Sequence, residues 1–161
     1  MNVPDFDSCT SFASPVGNVN VYAKNDKVVF LTMDDIAVDD WGKSKILSVA
    51  KKQLVEYFKG KNKVLNFAVD FKGTAFQEAV WREIAKLPWG KTTTYAEIAD
   101  AIGNPRAVRA VGGAVGSNPV PLVIGCHRVL GASKRITGYS GGEGLPTKKW
   151  LLALESIDYK D

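Results

Sequence analysis

The spacing of apolar residues divides the chain into a strand-rich first part and a mainly helical second part. Val, Tyr and Phe are enriched in residues 18–26 and 27–33, and the Asn25-Asp26 pair near their junction predicts a β-hairpin. Apolar residues then recur at helical spacing across residues 44–61, with Lys on the other face and Gly60 as a stop signal. These patterns predict a small α/β region in which no residue looks catalytic.

Residues 71–116 show helical periodicity in three consecutive stretches. Thr74 and Gln77 stand three apart, as in a capping box, ahead of an apolar stripe. A second helix is predicted over residues 92–102, where Tyr95 shares a face with isoleucines and therefore reads as a core tyrosine by pattern alone. The short Gly103-Asn104-Pro105 break then predicts a helix-turn-helix unit, completed by a third helix over residues 106–116.

The third predicted helix has two unlike faces. Val108, Val111 and Val115 are expected to face the core, whereas the opposite stripe consists of Arg106, Arg109, Gly113 and Gly116. Arginines beside glycines allow a helix backbone to lie close to a phosphate chain. A glycine-rich helix packed tightly against another element fits the same pattern, so the residues alone leave both interpretations open.

Beyond these helices, the apolar run at residues 120–124 predicts a buried strand, and residues 146–156 predict a last helix that ends near Glu155. The fold class is therefore α+β: a small N-terminal α/β cap with a β-hairpin, followed by a mainly helical domain with a helix-turn-helix. We place the boundary between residues 1–70 and residues 71–161.

Charge and cysteine usage narrow the possible partners. The nine lysines of residues 1–70 are matched by nine acidic residues, whereas residues 71–161 carry twelve Lys and Arg against eight Asp and Glu. This basic excess points weakly towards a polyanion. With one histidine and two cysteines, Cys9 and Cys126, a usual Cys/His zinc site lacks ligands, and no metal or cofactor is expected. No apolar run is long enough for a membrane span, and a cytoplasmic protein with free thiols is expected, or a nuclear one if the source is eukaryotic.

The only histidine, His127, directly follows Cys126. The predicted strand would deliver Cys126 into a turn, where His127 and Arg128 are expected to favour the reactive thiolate electrostatically. A carboxylate such as Glu155 would complete a nucleophile–base–orienter set. Neighbours on a strand point to opposite faces, however, and a buried cysteine is often only a small core residue, so the pattern alone does not decide between these roles.

The motifs of the second half, taken together, resemble those of the O6-alkylguanine-DNA alkyltransferases, also called methylated-DNA–protein-cysteine methyltransferases. They are GTAFQEAVWREIAKLPWGKTTTYAEIA, RAVRAVGGAVGSNPVPLVI, GCHRV, TGYSGG and KKWLLALE, and they follow one another from about Gly73 to Glu155. The resemblance implies a ribonuclease-H-like N-terminal domain and a C-terminal helix-turn-helix alkyltransferase domain. It also implies irreversible, single-turnover transfer of an alkyl group from O6 of guanine, and from O4 of thymine, to Cys126.

The resemblance assigns a role to each matching residue. His127 would act as base through a water, Glu155 would orient the imidazole, Tyr95 would give a proton to the leaving guanine, and Asn118 would tie the helix-turn-helix to the active-site segment. Arg109 would fill the stack after the nucleotide flips out, because an alkyl group inside the duplex is out of reach of a thiol. Further minor-groove contacts are expected at Arg106, Thr94, Ala110, Gly113 and Ser117, and the guanine pocket is expected at Pro121, Gly125, Val129, Tyr139 and Ser140.

Three positions depart from the usual family pattern. Gly125 replaces the proline that usually precedes the cysteine, which is expected to loosen the loop and widen the pocket beside Cys126. Lys134 stands where a turn glycine is common, and residues 143–147 form a slightly longer loop. The expected partner is double-stranded DNA containing O6-alkylguanine, bound by a monomer with no membrane association.

Three other functions fit parts of the sequence. A non-catalytic alkyltransferase-like protein that recognises alkylated bases would lack the acceptor cysteine, which is present here. A plain helix-turn-helix DNA-binding module would leave GCHRV unexplained, and transfer of label from alkylated DNA to the protein separates it from a repair protein. A cysteine hydrolase would turn over, whereas a thioether on cysteine has no easy leaving path.

Overall fold

A three-stranded antiparallel sheet and one helix form the N-terminal part of the computed structural model, which describes residues 3–161. The strands are β1 (Ser8–Ser14), β2 (Gly17–Lys24) and β3 (Lys27–Asp34), paired in that order. The hairpin of β2 and β3 confirms the prediction from residues 18–33. Strand β1 was not singled out in the sequence, because its Ser and Thr residues obscure the apolar alternation.

The turn of this hairpin also fixes the start of the first helix, α1 (Lys45–Phe58). Asn25 and Asp26 have φ values of 51° and 58°, the left-handed conformation that a type I′ turn requires. The Asp26 carboxylate accepts hydrogen bonds from the Ser44 hydroxyl at 2.7 Å and from the Ile46 amide at 3.0 Å. The turn therefore holds the N-terminus of α1 against the sheet.

The second part of the chain contains helices α2 (Ala75–Ala85), α3 (Tyr95–Ala101), α4 (Val108–Gly116) and α5 (Leu145–Leu154). The predicted capping box is confirmed, because the Thr74 hydroxyl accepts from the Gln77 amide and the Gln77 side chain accepts from the Thr74 amide. Trp81 on α2 donates its indole N–H to the Ala114 carbonyl of α4 at 2.8 Å. A short parallel pair, β4 (Thr93–Thr94) with β5 (Val129–Leu130), ties the start of α3 to the residues after Cys126.

Two predictions about this part are wrong. Val108 was expected to face the core but is 39% exposed, because it is the first residue of α4. The buried face of α4 consists of Val111, Ala114 and Val115. Residues 120–124 form no strand but a compact turn, in which Leu122 adopts a φ of 78°. The run is apolar because it is buried. The Asn118 side chain hydrogen-bonds to the Val120 amide and the Ile124 carbonyl, in place of the backbone partners that a neighbouring strand would supply.

This turn joins two hydrophobic cores. The first core lies between the sheet and α1 and includes Val120, Leu122 and Leu151 from the second part of the chain. The second core lies among α2, α3 and α4 and includes Cys126. The Leu31 amide of β3 donates to the Pro119 carbonyl at 3.0 Å, which fastens the turn to the sheet.

The boundary at residue 70 and the ribonuclease-H-like character of residues 1–70 remain predictions. The first core shows that residues from both sides of the boundary are buried together. Within residues 3–161, every helix is too short or too polar to cross a bilayer.

Loss of the capping box is expected to weaken α2. Thr74→Ala removes the acceptor for the Gln77 amide and should lower the free energy of unfolding by about 1 kcal/mol in urea denaturation. Thr92→Ala is the matched control, because in the described chain the Thr92 hydroxyl makes no hydrogen bond. A loss at Thr74 no larger than at Thr92 would contradict a stabilising role for the box.

Candidate active site

Cys126 begins a single turn of 3-10 helix, Cys126–Arg128, directly after the compact turn of residues 120–124. Asn118 fixes this approach: its side-chain amide donates to the Ile124 carbonyl at 2.7 Å, and its carbonyl oxygen accepts from the Val120 amide at 2.9 Å. The Cys126 amide donates to the same Ile124 carbonyl at 2.7 Å. Asn118 therefore holds the segment that carries the thiol against the end of α4.

The Cys126 side chain lies at the base of an open cleft of about 560 Å³. Cys126 is 4% exposed, so a substrate must enter the cleft to reach it. Four other predicted site residues line the same cleft: Tyr95, Arg109, Tyr139 and Ser140. Val108 and Thr137 line it as well, and neither was predicted to do so.

The environment of the thiol works against ionisation in the free protein. Burial raises the pKa of Cys126, and the neighbouring Asn118 and Tyr139 side chains and the Lys148 ammonium offset part of that rise. Since the thiolate is the nucleophilic species, the site needs a group that takes the thiol proton. His127, the next residue in the chain, is the candidate for this group.

His127 is fully buried, and its Nε2 lies 2.5 Å from Oε2 of Glu155 at the C-terminal end of α5. Burial lowers the pKa of His127, while the Glu155 carboxylate acts in the opposite direction. A neutral imidazole that donates its Nε2–H to Glu155 has a free lone pair on Nδ1. Among residues 3–161, no group hydrogen-bonds to this buried Nδ1.

The Glu155 carboxylate is buried but well satisfied. Arg128 donates from Nε to Oε1 at 2.8 Å and from Nη2 to Oε2 at 3.0 Å, and the Gly90 amide donates to Oε1 at 3.0 Å. Burial alone would raise the pKa of Glu155, but the hydrogen bonds from His127 and Arg128 outweigh it and hold the pKa well below its ordinary value. Glu155 is therefore an anion at neutral pH.

Arg128 does not have the role expected from its position beside Cys126. Its guanidinium pairs with Glu155 and donates from Nη1 to the Leu87 carbonyl at 2.8 Å, so its charge is used in the carboxylate network. The cation that lowers the Cys126 pKa is Lys148, which is 1% exposed and donates to the Val129 carbonyl at 2.8 Å. Burial in turn lowers the pKa of Lys148 to about 8. Lys148 could have been found from the sequence, because it precedes Leu151 and Leu152 by three and four residues and therefore shares their buried face of α5.

One residue of the N-terminal part also contacts this network. Tyr57 of α1 is fully buried, and its hydroxyl donates to Glu155 Oε2 at 2.6 Å. Tyr57 lies three residues after the buried Leu54 on α1, so helical periodicity by itself would indicate no more than a core tyrosine.

Tyr95 is both a residue of the second core and a residue of the cleft. Its ring packs against the second core, and its hydroxyl reaches the cleft and hydrogen-bonds to the Thr137 hydroxyl at 2.7 Å. Thr94, one residue earlier, caps α3 by accepting from the Glu97 amide at 3.1 Å. The hydroxyl of Tyr95 is thus held at the cleft by both the helix start and Thr137.

The predicted DNA-contact residues are distributed around α4. Arg106, Arg109, Ala110 and Gly113 are exposed on one side of the helix-turn-helix unit. Ser117, at the end of α4, is half-buried, and its hydroxyl donates to the carbonyls of the helix. Arg109 alone among the exposed arginines also reaches the rim of the Cys126 cleft.

The predicted guanine-pocket residues are not all placed alike. Tyr139 is half-buried and Ser140 is exposed in the cleft wall, and the Ser140 hydroxyl donates to the Gly116 carbonyl at 3.0 Å. Pro121, Gly125 and Val129 are buried behind Cys126 and are not part of the cleft lining.

Two of the departures from the family pattern can be placed in the structure. A Cβ at Gly125 would lie 2.8 Å from Nη1 of Arg128, so the guanidinium packs over this residue, and Gly125 is not part of the cleft lining. Lys134 adopts a φ of 61°, the left-handed conformation that favours the glycine usual at this turn.

Comparisons with known proteins agree with this geometry. Residues 75–157 match the family described as 6-O-methylguanine DNA methyltransferase, DNA binding domain. The constitutive methylated-DNA–protein-cysteine methyltransferase of Bacillus subtilis is 37% identical over 94% of this chain and 97% of its own length. The methylated-DNA–protein-cysteine methyltransferase of Haemophilus influenzae is 38% identical over 94% of this chain and 88% of its own.

Solved structures give the same result. The O6-methylguanine methyltransferase of Mycobacterium tuberculosis is 37% identical, with a TM-score of 0.79 over 90% of each chain. The structure of the M. tuberculosis protein in complex with DNA gives a TM-score of 0.83 over 92% of each chain. The fold and site therefore define an alkyl-accepting cysteine protein, and the chain belongs to the methylated-DNA–protein-cysteine methyltransferase family.

The packing of Arg128 over Gly125 predicts that a single methyl group is costly there. In Gly125→Ala the added Cβ should push the guanidinium away from Glu155, lowering the free energy of unfolding by about 1–3 kcal/mol in urea denaturation. The φ of −72° at Gly125 suits any residue, so backbone strain does not contribute. Gly113→Ala is the control, because nothing lies within 4 Å of its added Cβ on an exposed helix, and alanine should stabilise it by up to about 1 kcal/mol. Wild-type stability in Gly125→Ala would show that Arg128 relaxes without loss.

Proposed function

We propose that this protein repairs DNA by direct reversal, transferring an alkyl group irreversibly from O6 of guanine, and from O4 of thymine, to Cys126. The observation that carries the proposal is the buried set of Cys126, His127 and Glu155 beneath an open cleft, in a chain of this family. The related M. tuberculosis protein has been solved in complex with DNA, which supports DNA as the partner here.

The chemistry begins with the thiol proton. The Nδ1 lone pair of His127 takes this proton through a water, and Glu155 supports the imidazolium that forms. The sulfur then attacks the O6-alkyl carbon in line, so that an S–C bond forms while the C–O bond breaks and its electron pair stays on O6. Lys148 is the buried cation that favours the thiolate during this step.

The leaving guanine needs a proton as negative charge develops on its ring. The Tyr95 hydroxyl, held at the cleft by Thr137, supplies this proton. Tyr139 and Ser140 contact the base in the cleft, and Pro121, Gly125 and Val129 support the pocket from behind. The product is a thioether, which has no low-energy route back to a thiol, so each molecule acts once.

Access to the base requires the nucleotide to leave the duplex. Arg109 projects beside the cleft, where its side chain would occupy the space that the flipped nucleotide vacates. Contacts from Arg106, Thr94, Ala110, Gly113 and Ser117 would position α4 in the minor groove, where exposed small residues allow a close approach. We further propose that the protein binds as a monomer and acts in the cytoplasm, or in the nucleus if its source is eukaryotic.

Intact-mass measurement tests the transfer directly. After mixing with duplex DNA that contains O6-methylguanine, the protein should gain the mass of one methylene, located on Cys126, in a stoichiometric reaction. Cys126→Ala should gain nothing, and Cys9, buried in the sheet near Trp41, is the internal control thiol. Methylation on Cys9, or repeated turnover, would contradict the proposal and favour a hydrolase or an unspecific thiol reaction.

Arg109→Ala should separate flipping from chemistry. Repair of duplex DNA should slow by at least about tenfold, the effect of losing roughly 1.4 kcal/mol of stabilisation, because the opened stack is no longer filled. Reaction with free O6-benzylguanine, which needs no flipping, should keep its rate. Arg135→Ala is the matched control, because this exposed arginine lies outside the cleft lining. Equal losses on both substrates would contradict the proposed role.

A further inference from the structure

The Glu155 carboxylate receives hydrogen bonds from five donors, and four of them belong to the second part of the chain. They are the imidazole of His127, two nitrogens of Arg128 and the amide of Gly90. The fifth is the hydroxyl of Tyr57, which comes from α1 in the N-terminal part. The group that orients the proposed base is therefore held from both parts of the chain.

Tyr57 is fixed in place by its surroundings. Its ring packs edge-on against Phe58 and Trp89, with centroid separations of 5.6 Å and 5.3 Å, and none of it is exposed. A buried tyrosine needs an acceptor for its hydroxyl. Here that acceptor is Oε2 of Glu155, the same oxygen that accepts from His127, and the Tyr57 oxygen lies 3.5 Å from Nε2 of His127.

We propose that Tyr57 is a positioning residue for the transfer reaction, which shares Oε2 of Glu155 with His127 and so keeps the imidazole as a neutral base. The inference rests on the proposed function, because it takes His127 as the acceptor of the Cys126 proton.

The physical reason is competition for one oxygen atom. A carboxylate offers about four lone-pair sites, and Glu155 accepts from five donors, three of them at Oε2. Each donor reduces the negative charge that the carboxylate presents to the others. Removal of the Tyr57 hydroxyl would leave more of that charge for His127, and an imidazolium would be stabilised.

The other groups that face His127 all disfavour its charged form, so Glu155 alone among them opposes this effect. Arg128 from the same turn and Lys148 from α5 are cations that disfavour a charged imidazole, and burial disfavours it further. Glu155 is the one group among those acting on His127 that favours the charged form. The strength of the His127–Glu155 hydrogen bond therefore sets whether His127 can accept the thiol proton.

Tyr57→Phe tests this role because it removes the hydroxyl and keeps the ring. His127 is the only histidine of the chain, so its imidazole can be followed without ambiguity by ¹⁵N NMR after histidine labelling. The wild-type imidazole should be neutral at pH 7, with its proton on Nε2. In the variant the pKa of His127 should rise by about half a unit or more, which is about a threefold change in the fraction of free base below that pKa.

The rate of methyl transfer should follow the same titration. Because a neutral base is needed, the acid limb of the pH–rate profile should move to higher pH in Tyr57→Phe, while the two rates converge above the pKa of His127. A role in packing alone would lower the rate at every pH by the same factor.

Two further proteins make the result decisive. Tyr22→Phe removes the hydroxyl of a different tyrosine, which lies on β2 and packs its ring against Phe6 and Phe30. This control variant should leave the His127 titration unchanged. Site-specific 3-fluorotyrosine at position 57 keeps the hydroxyl but makes it a stronger donor, so the pKa of His127 should fall. This second change has the opposite sign and decides the question even where Tyr57→Phe folds poorly.

The outcomes for Tyr57 and for the proposed function are distinct. An unchanged His127 titration in both position-57 variants would overturn the role of Tyr57, whatever the transfer rates. Absence of methyl transfer by the wild-type protein would overturn the proposed function, and the NMR comparison would then still show whether Tyr57 controls the imidazole.

Discussion

The buried carboxylate of Glu155 is the constraint on which the rest of this site depends. A carboxylate without partners in a protein interior would cost several kcal/mol or would take up a proton. Here hydrogen bonds from a guanidinium, an imidazole, a phenol and a backbone amide keep it charged. Each donor must arrive at a fixed place, so the end of α5, the Cys126 turn, the Gly90 loop and α1 are all positioned with respect to one carboxylate.

This constraint explains why the sequence predicts the chemistry better than it predicts the geometry. Cys126 and His127 were found from their motif, because the chain has only two cysteines and one histidine, and Glu155 was found as the acid at the end of the last predicted helix. The position of the His127 imidazole is fixed not by its adjacency to Cys126 but by its hydrogen bond to Glu155 at the end of α5. Tyr57 and Lys148 were missed because helical periodicity marks a buried face without showing what the polar tip of a buried side chain contacts.

The fold shows the same division. The hairpin and the capping box of α2 are set by local turn and cap chemistry, and α1 by its apolar periodicity, and the sequence displays all three directly. Residues 120–124 were predicted to be a strand because burial and strand formation produce similar apolar runs. What decides against a strand is the Asn118 side chain, which takes backbone hydrogen bonds from the run and closes it into a turn. These contacts are local in sequence, but a side-chain hydrogen bond to the backbone is not visible in apolar periodicity.

Gly125 shows how one network can account for a departure from a family pattern. Considered as a loop residue, a glycine beside the nucleophile suggests a looser and wider pocket. In the structure its missing side chain faces Arg128, whose guanidinium fills that space and binds Glu155 through two nitrogens. Since Arg128 in turn pairs with the carboxylate that holds His127, residue 125 is in contact with the carboxylate network. Tyr139 and Thr137 line the cleft itself and Gly125 does not, so a change at residue 125 reaches the site through Arg128 and the carboxylate network.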